Sequence, residues 1–273
     1  MVSKVQKSIR KRKYRIKKVR RNFTTVFNFR VFIVFALTSI TYFLCIKYDF
    51  RLNNDYNIIS IAIVFPLVFS ITSAFQKRQD ALRYFSDLRS NLLAISDYFR
   101  STPKIPIKSL KEINQIIKEI SVKNALYLSD QQNKDGIKAL RKDLNQIQNK
   151  IIQYESFFGN AVKRGVIESK QEVSLCVENL SSLKKHSTPK SLRAYCLLFI
   201  YIYPFIYVPG ILGLTSVETF TTNMFTFFLC ILISFVLVEL YNIQDFIENP
   251  FDNKGLDDIK INEYVIDDSE FEI

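Results

Sequence analysis

The chain has 273 residues, a formal net charge of +12 and a composition that is almost half hydrophobic. It holds one histidine, four scattered cysteines and six glycines. That inventory supplies no nucleophile triad, disulfide framework, zinc spacing or phosphate-cradling loop, so no enzyme class is indicated.

The charge is unevenly placed. Residues 1–30 hold 12 Lys/Arg and no acid, whereas the other 243 residues carry 26 of each sign. A basic arm can attract nucleic acid or anionic lipid. Directly before an apolar run, it reads first as a juxtamembrane topology signal, with organelle targeting as the alternative and no nucleic-acid partner expected. The first apolar run has no small-residue cleavage site after it, so it is not read as a cleavable signal.

Four apolar runs follow, at 31–46, 56–75, 193–214 and 222–242. Each approaches the ~20 residues that a helix needs to cross ~30 Å of hydrocarbon. The expected fold is therefore an all-α membrane protein with four transmembrane helices in two hairpins and a long cytoplasmic helical insert. Its parts are a basic arm (1–30), a first hairpin (31–75), a helical region (76–192), a second hairpin (193–242) and an acidic tail (243–273). The hairpin loops lack net positive charge, while 76–189 carries 20 bases and 12 acids. The positive-inside rule then places both termini and the insert in the cytoplasm, or in an organelle's interior. The protein is expected to be multi-pass, in the plasma membrane or an organelle membrane.

Within the insert, Ala81, Leu82, Phe85, Leu88, Leu92 and Ile95 keep helical spacing, so the second span is expected to run on as one long helix. Pro103 and Pro106 end it. A second helix is expected over about 107–128, carrying Leu110, Ile113, Ile117 and Ile120. A third begins near Gly136, with Ile137, Leu140, Leu144, Ile147, Ile151 and Tyr154 in coiled-coil steps. A fourth holds Val173, Cys176, Leu180 and Leu183. Cys45, Cys176, Cys196 and Cys230 read as ordinary buried thiols, and His186 as an exposed side chain in a Lys-rich loop.

In the second span, Leu67, Ile71 and Phe75 lie one helical turn apart and stack on one face. Two readings stay open: a face packed on another helix, or an apolar constriction that gates ions by dewetting. Pro66 is expected to kink this helix. Glu239 is an ionisable residue near the membrane boundary, suited to a pathway or to interfacial water. Pro250 is expected to stop the last helix. Asp252, Asp257 and Asp258 are either oxygen ligands for a cation such as calcium or part of a solvated acidic tail. No other cofactor is expected.

At these residues the chain resembles the bestrophin family of ion channels. Glu248, Asn249, Pro250, Phe251 and Asp252 resemble the family's asparagine/aspartate-proline-phenylalanine motif, with Asp257 and Asp258 as its acidic continuation. Leu67, Ile71 and Phe75 match the apolar neck positions in type and spacing. Arg78, Arg83 and Arg89 resemble the helix that leaves the membrane there, and Thr188, Pro189 and Arg193 resemble the approach to the third span. The resemblance extends from the first span to Asp258. It implies a homopentamer around a central pore, with a neck at Leu67, Ile71 and Phe75 and a cytoplasmic vestibule where Arg78 and Arg83 enrich anions. The implied partners are the lipid bilayer, further copies of the chain and small inorganic ions. Asn253, Lys254 and Gly255 interrupt the acidic cluster, which weakens a calcium site. The implied function is a channel for chloride or other small anions. A cation-selective homologue and a non-conducting membrane scaffold remain as alternatives.

Overall fold

The computed structural model describes residues 28–52, 57–130, 135–186, 189–214, 219–252 and 258–271, with the side chains of 57–60 excepted. Seven α-helices run along these residues: α1 (Phe29–Lys47), α2 (Asn57–Arg100), α3 (Ile107–Ser129), α4 (Gly136–Gln153), α5 (Asn160–Lys185), α6 (Lys190–Leu214) and α7 (Phe220–Ile247). Short 3-10 turns follow α4 and shape the tail, and no strand occurs among the described residues. α1, the start of α2, α6 and α7 are long and apolar enough to cross a membrane. The protein is a multi-pass integral membrane protein.

The chain divides into two compact units, 1–74 with 188–246, and 75–187 with 247–273. In the first, α1 packs on α6. Val31, Val34 and Tyr42 of α1, Ile63 and Leu67 of α2, Ile200 and Tyr207 of α6, and Cys230 and Val238 of α7 share one core. A polar cluster ties three of these helices together. The Thr38 and Ser234 hydroxyls lie 2.6 Å apart, and the Tyr207 hydroxyl lies 2.5 Å from both Ser234 Oγ and the Cys230 carbonyl. Hydroxyl bonds of this kind join helices where apolar packing gains nothing over lipid. Two residues beyond α1, Asp49 takes the left-handed conformation (φ 49°).

Pro66 lies inside α2, which continues through it as one 44-residue helix. Pro66 has no N–H for the Ala62 carbonyl four residues back. The Tyr195 hydroxyl of α6 donates to that carbonyl at 3.3 Å. A neighbouring side chain thus satisfies the freed acceptor, which is how membrane helices tolerate proline.

In the second unit, the predicted stripes are core. Phe85, Leu88, Leu92 and Ile95 of α2, Ile113, Ile117 and Ile120 of α3, Leu140, Leu144 and Ile147 of α4, and Val173, Cys176 and Leu180 of α5 are all buried together. Leu82, Leu110 and Leu183 pack at the edge of this core. α4 lies against both α3 and α5, because its seam buries Ile137, Leu140, Leu144, Ile147 and Ile151 on one side. Tyr154, the last residue of that spacing, is buried in the same core and is also the C-cap of the helix, with its hydroxyl 2.5 Å from Ser109 Oγ. α7 ends at Ile247, three residues before Pro250. Pro250 sits just past the end, where a proline that cannot continue the helix is expected.

Candidate functional site

α2 buries every third or fourth residue: Ile63, Leu67, Ser70 and Ala74 in the first unit, then Lys77, Ala81, Phe85 and Leu88 in the second. This spacing holds one face of a 3.6-residue helix toward the core. The expected neck triplet does not follow it. Steps of four residues advance by about 40° beyond a full turn, so the triplet spirals across the face. Leu67 has 0% exposure and sits in the core of the first unit, Ile71 packs at its edge, and Phe75 is 49% exposed. The outward stripe in the first unit is instead Ile61, Phe65, Val68 and Thr72.

Lys77 is a residue that the apolar pattern alone passes over. It occupies a core register position and is 9% exposed, and Glu248 is 1% exposed. Lys77 Nζ donates to the Glu248 backbone carbonyl at 3.0 Å and lies 3.7 Å from a Glu248 carboxylate oxygen. A lysine at a core position between Ala74 and Ala81 is the signal that could have announced a buried acidic partner, since an uncompensated buried charge is strongly disfavoured.

The motif after α7 is a reversal point. Asn249 is exposed, Pro250 and Phe251 are buried, and Asp252 is half-buried. The Pro250 carbonyl accepts from the Ile259 N–H at 2.9 Å. Phe251 meets Phe85 edge to face at 6.2 Å, and Tyr264 stacks on Phe85 at 4.9 Å. The tail beyond is not a solvated acidic strand. Ile259, Ile261 and Ile266 are buried against α2 and α3 in the common core. The Ile266 N–H donates to Ser121 Oγ at 3.2 Å, Lys118 pairs with Asp268 at 2.6 Å, and Arg89 pairs with Glu270.

The other candidates are more dispersed. Arg78 is half-buried. Arg83 is exposed, lies 3.4 Å from Asp80 and places its guanidinium 5.0 Å over the Tyr84 ring. Among the described residues, no three His, Cys, Asp or Glu side chains gather as a metal site. Asp252 and Asp258 each make other interactions, and Asp257 lies outside the described residues. Near the C-terminal end of α7, Asp245 accepts from Arg30 at 3.0 Å and also pairs with Arg193. Arg30 lies over the Tyr241 ring and reaches Asn242, whose amide donates to half-buried Glu239 at 3.2 Å.

Comparison with solved structures decides the architecture. A bacterial bestrophin homolog from Klebsiella pneumoniae, carrying a single mutation, matches with a TM-score of 0.71 and 14% identity over 89% of this chain and 96% of its own. The chain has a bestrophin-like fold. Another mutant of the Klebsiella homolog matches at 0.69 with 15% identity, again over 89% and 96%. A crystal structure of a membrane protein variant matches at 0.70 with 14% identity over 89% and 94%. No family model and no curated protein matches the sequence.

Proposed function

We propose that the protein is a bestrophin-like ion channel, a homopentamer passing chloride or other small anions through a central pore lined by α2. The observation that carries this reading is the membrane half of α2. Residues 57–75 contain no ionisable side chain, yet Ile61, Phe65, Val68 and Phe75 are turned out of the protomer. A ring of such faces excludes water and gates by dewetting. In this reading Phe75 and the edge of Ile71 narrow the pore, and Leu67 braces the helix from behind. Calcium plays no assigned part.

One observation favours a cation-selective version: Arg83 shares its field with Asp80, so its charge is partly offset. A scaffold reading rests on Leu126, Ile152 and Leu175, which are exposed on the helical unit. Purified protein in liposomes under a KCl gradient separates the three. An anion channel shifts the reversal potential toward that of chloride, and a cation channel toward potassium. Phe75→Ala raises flux severalfold, whereas Leu67→Ala chiefly lowers stability, by about 2–5 kcal/mol. Silence from the wild type and from the Ile71→Ala and Phe75→Ala variants, or single chains in particle images, sinks the channel.

A further inference from the structure

We infer that Ser70 and Gln244 hold a buried water between α2 and α7, inside the first unit. Both residues are 0% exposed. The Ser70 hydroxyl and both polar atoms of the Gln244 amide meet no hydrogen-bond partner among the described residues. Orphans of this kind are rare in folded proteins, and ordered water is a common partner for buried polar groups that the chain itself does not satisfy. Ser70 also departs from the habit of Thr38, Thr41, Thr72 and Thr226, which each donate to the carbonyl four residues back. Its hydroxyl is kept for another partner.

Helix register brings the two residues to neighbouring levels. α2 and α7 share a core through Ile63, Leu67, Leu237 and Tyr241. As the second limbs of two hairpins they run in the same direction. Lys77 of α2 donates to the Glu248 carbonyl just past α7. One turn back along the two helices stand Ala74 and Gln244, and one turn further along α2 is Ser70. Ala74 is fully buried and carries only a methyl group, which leaves room for the Gln244 side chain beside the Ser70 hydroxyl. A buried water commonly makes about three hydrogen bonds, and Ser70 Oγ, Gln244 Oε1 and Gln244 Nε2 are three atoms in need of one. Their mixture of donors and acceptors suits water over an ion: the amide N–H groups repel a cation, and the amide oxygen repels an anion.

The inference rests on the fold and not on conduction, so its tests need no flux. Thermal unfolding of the full-length protein in nanodiscs reads the bridge. Gln244→Met keeps the length of the side chain and removes its hydrogen bonds. The midpoint falls by several degrees, and Ser70→Ala added to it costs little more, because the two residues share one water. A buried amide that held nothing would be destabilising, so a midpoint that Gln244→Met raises or leaves unchanged overturns the water, as do additive losses. Exchange of KCl for choline gluconate leaves the wild-type midpoint unchanged. A shift that Gln244→Met abolishes would give the site to an ion and overturn the water. Hydroxyl radicals generated from water by an X-ray pulse supply a readout on the wild type alone. Tyr241 lies one turn before Gln244 on the same face. Tyr207, also buried but bonded to Ser234 and the Cys230 carbonyl, is its control. Tyr241 is labelled severalfold faster than Tyr207, and Gln244→Met removes the difference. Equal labelling in the wild type overturns the proposal even where Gln244→Met fails to fold, and so does a difference that survives that substitution.

Discussion

Lys77 occupies a register position that Ala74 and Ala81 share, and its ammonium is held against Glu248. Lys77→Met removes the cation beside a carboxylate that stays buried. The expected cost is about 3–5 kcal/mol, read as a lowered denaturation midpoint, and Glu248→Gln added to it restores part of the loss. A double variant no more stable than Lys77→Met would sink the pairing. Cys176 shows burial acting on a neutral group. Its thiol is pushed up to about 11, first by desolvation and then by Asp87 and Glu172. At pH 8 roughly one molecule in a thousand is thiolate, so a maleimide should label Cys176 only after denaturant is added. Prompt labelling of the folded protein would contradict this. Neither role is visible in the residue type alone: a Lys in a helix usually faces water, and an apolar-stripe Cys is silent about its surroundings.

At the scale of elements, helices were the most legible feature. Expected limits at Ile107 and Gly136 agree with α3 and α4, because proline, glycine and a seam of apolar residues act within a few positions of chain. The partner of the acceptor that Pro66 frees was not legible for a physical reason: the donor that relieves the Ala62 carbonyl is Tyr195, from another helix. The tail misled for a similar one. Its acids outnumber its bases, but Ile259, Ile261 and Ile266 are spaced to dock while Asp268 and Glu270 meet Lys118 and Arg89. Ile266→Ala should cost about 2–5 kcal/mol, and Ile266→Asp more. Thermal unfolding checks this, and a midpoint unchanged by either variant would show that the tail does not support the helical unit.

For the whole molecule, exposed ion pairs set the response to acid. Glu112 is held below the usual carboxylate range by the hydrogen bond from Lys150, Asp135 by that from Lys138, and Glu178 by that from Arg141. Their folded pKa values lie below the unfolded ones. The stability they contribute is therefore present above the ordinary carboxylate range and is lost as pH falls through the folded values. The denaturation midpoint should decline from about pH 5 downward, and Glu178→Gln should flatten part of that decline. A midpoint that rises on acidification would reverse the assignment.

Across the same scale, sequence by itself determined the solvent, the number of spans and the helical stripes, since hydrophobic length and period are properties of neighbouring residues. It also pointed to the bestrophin-like fold through Asn249, Pro250 and Phe251. Only the tertiary structure decided which way Leu67 points, what completes Pro66, where Lys77 finds its anion and how the tail folds back onto α2 and α3. Those depend on partners distant in sequence, and a four-residue spacing tells which residues share a turn, not which of them the rest of the protein covers.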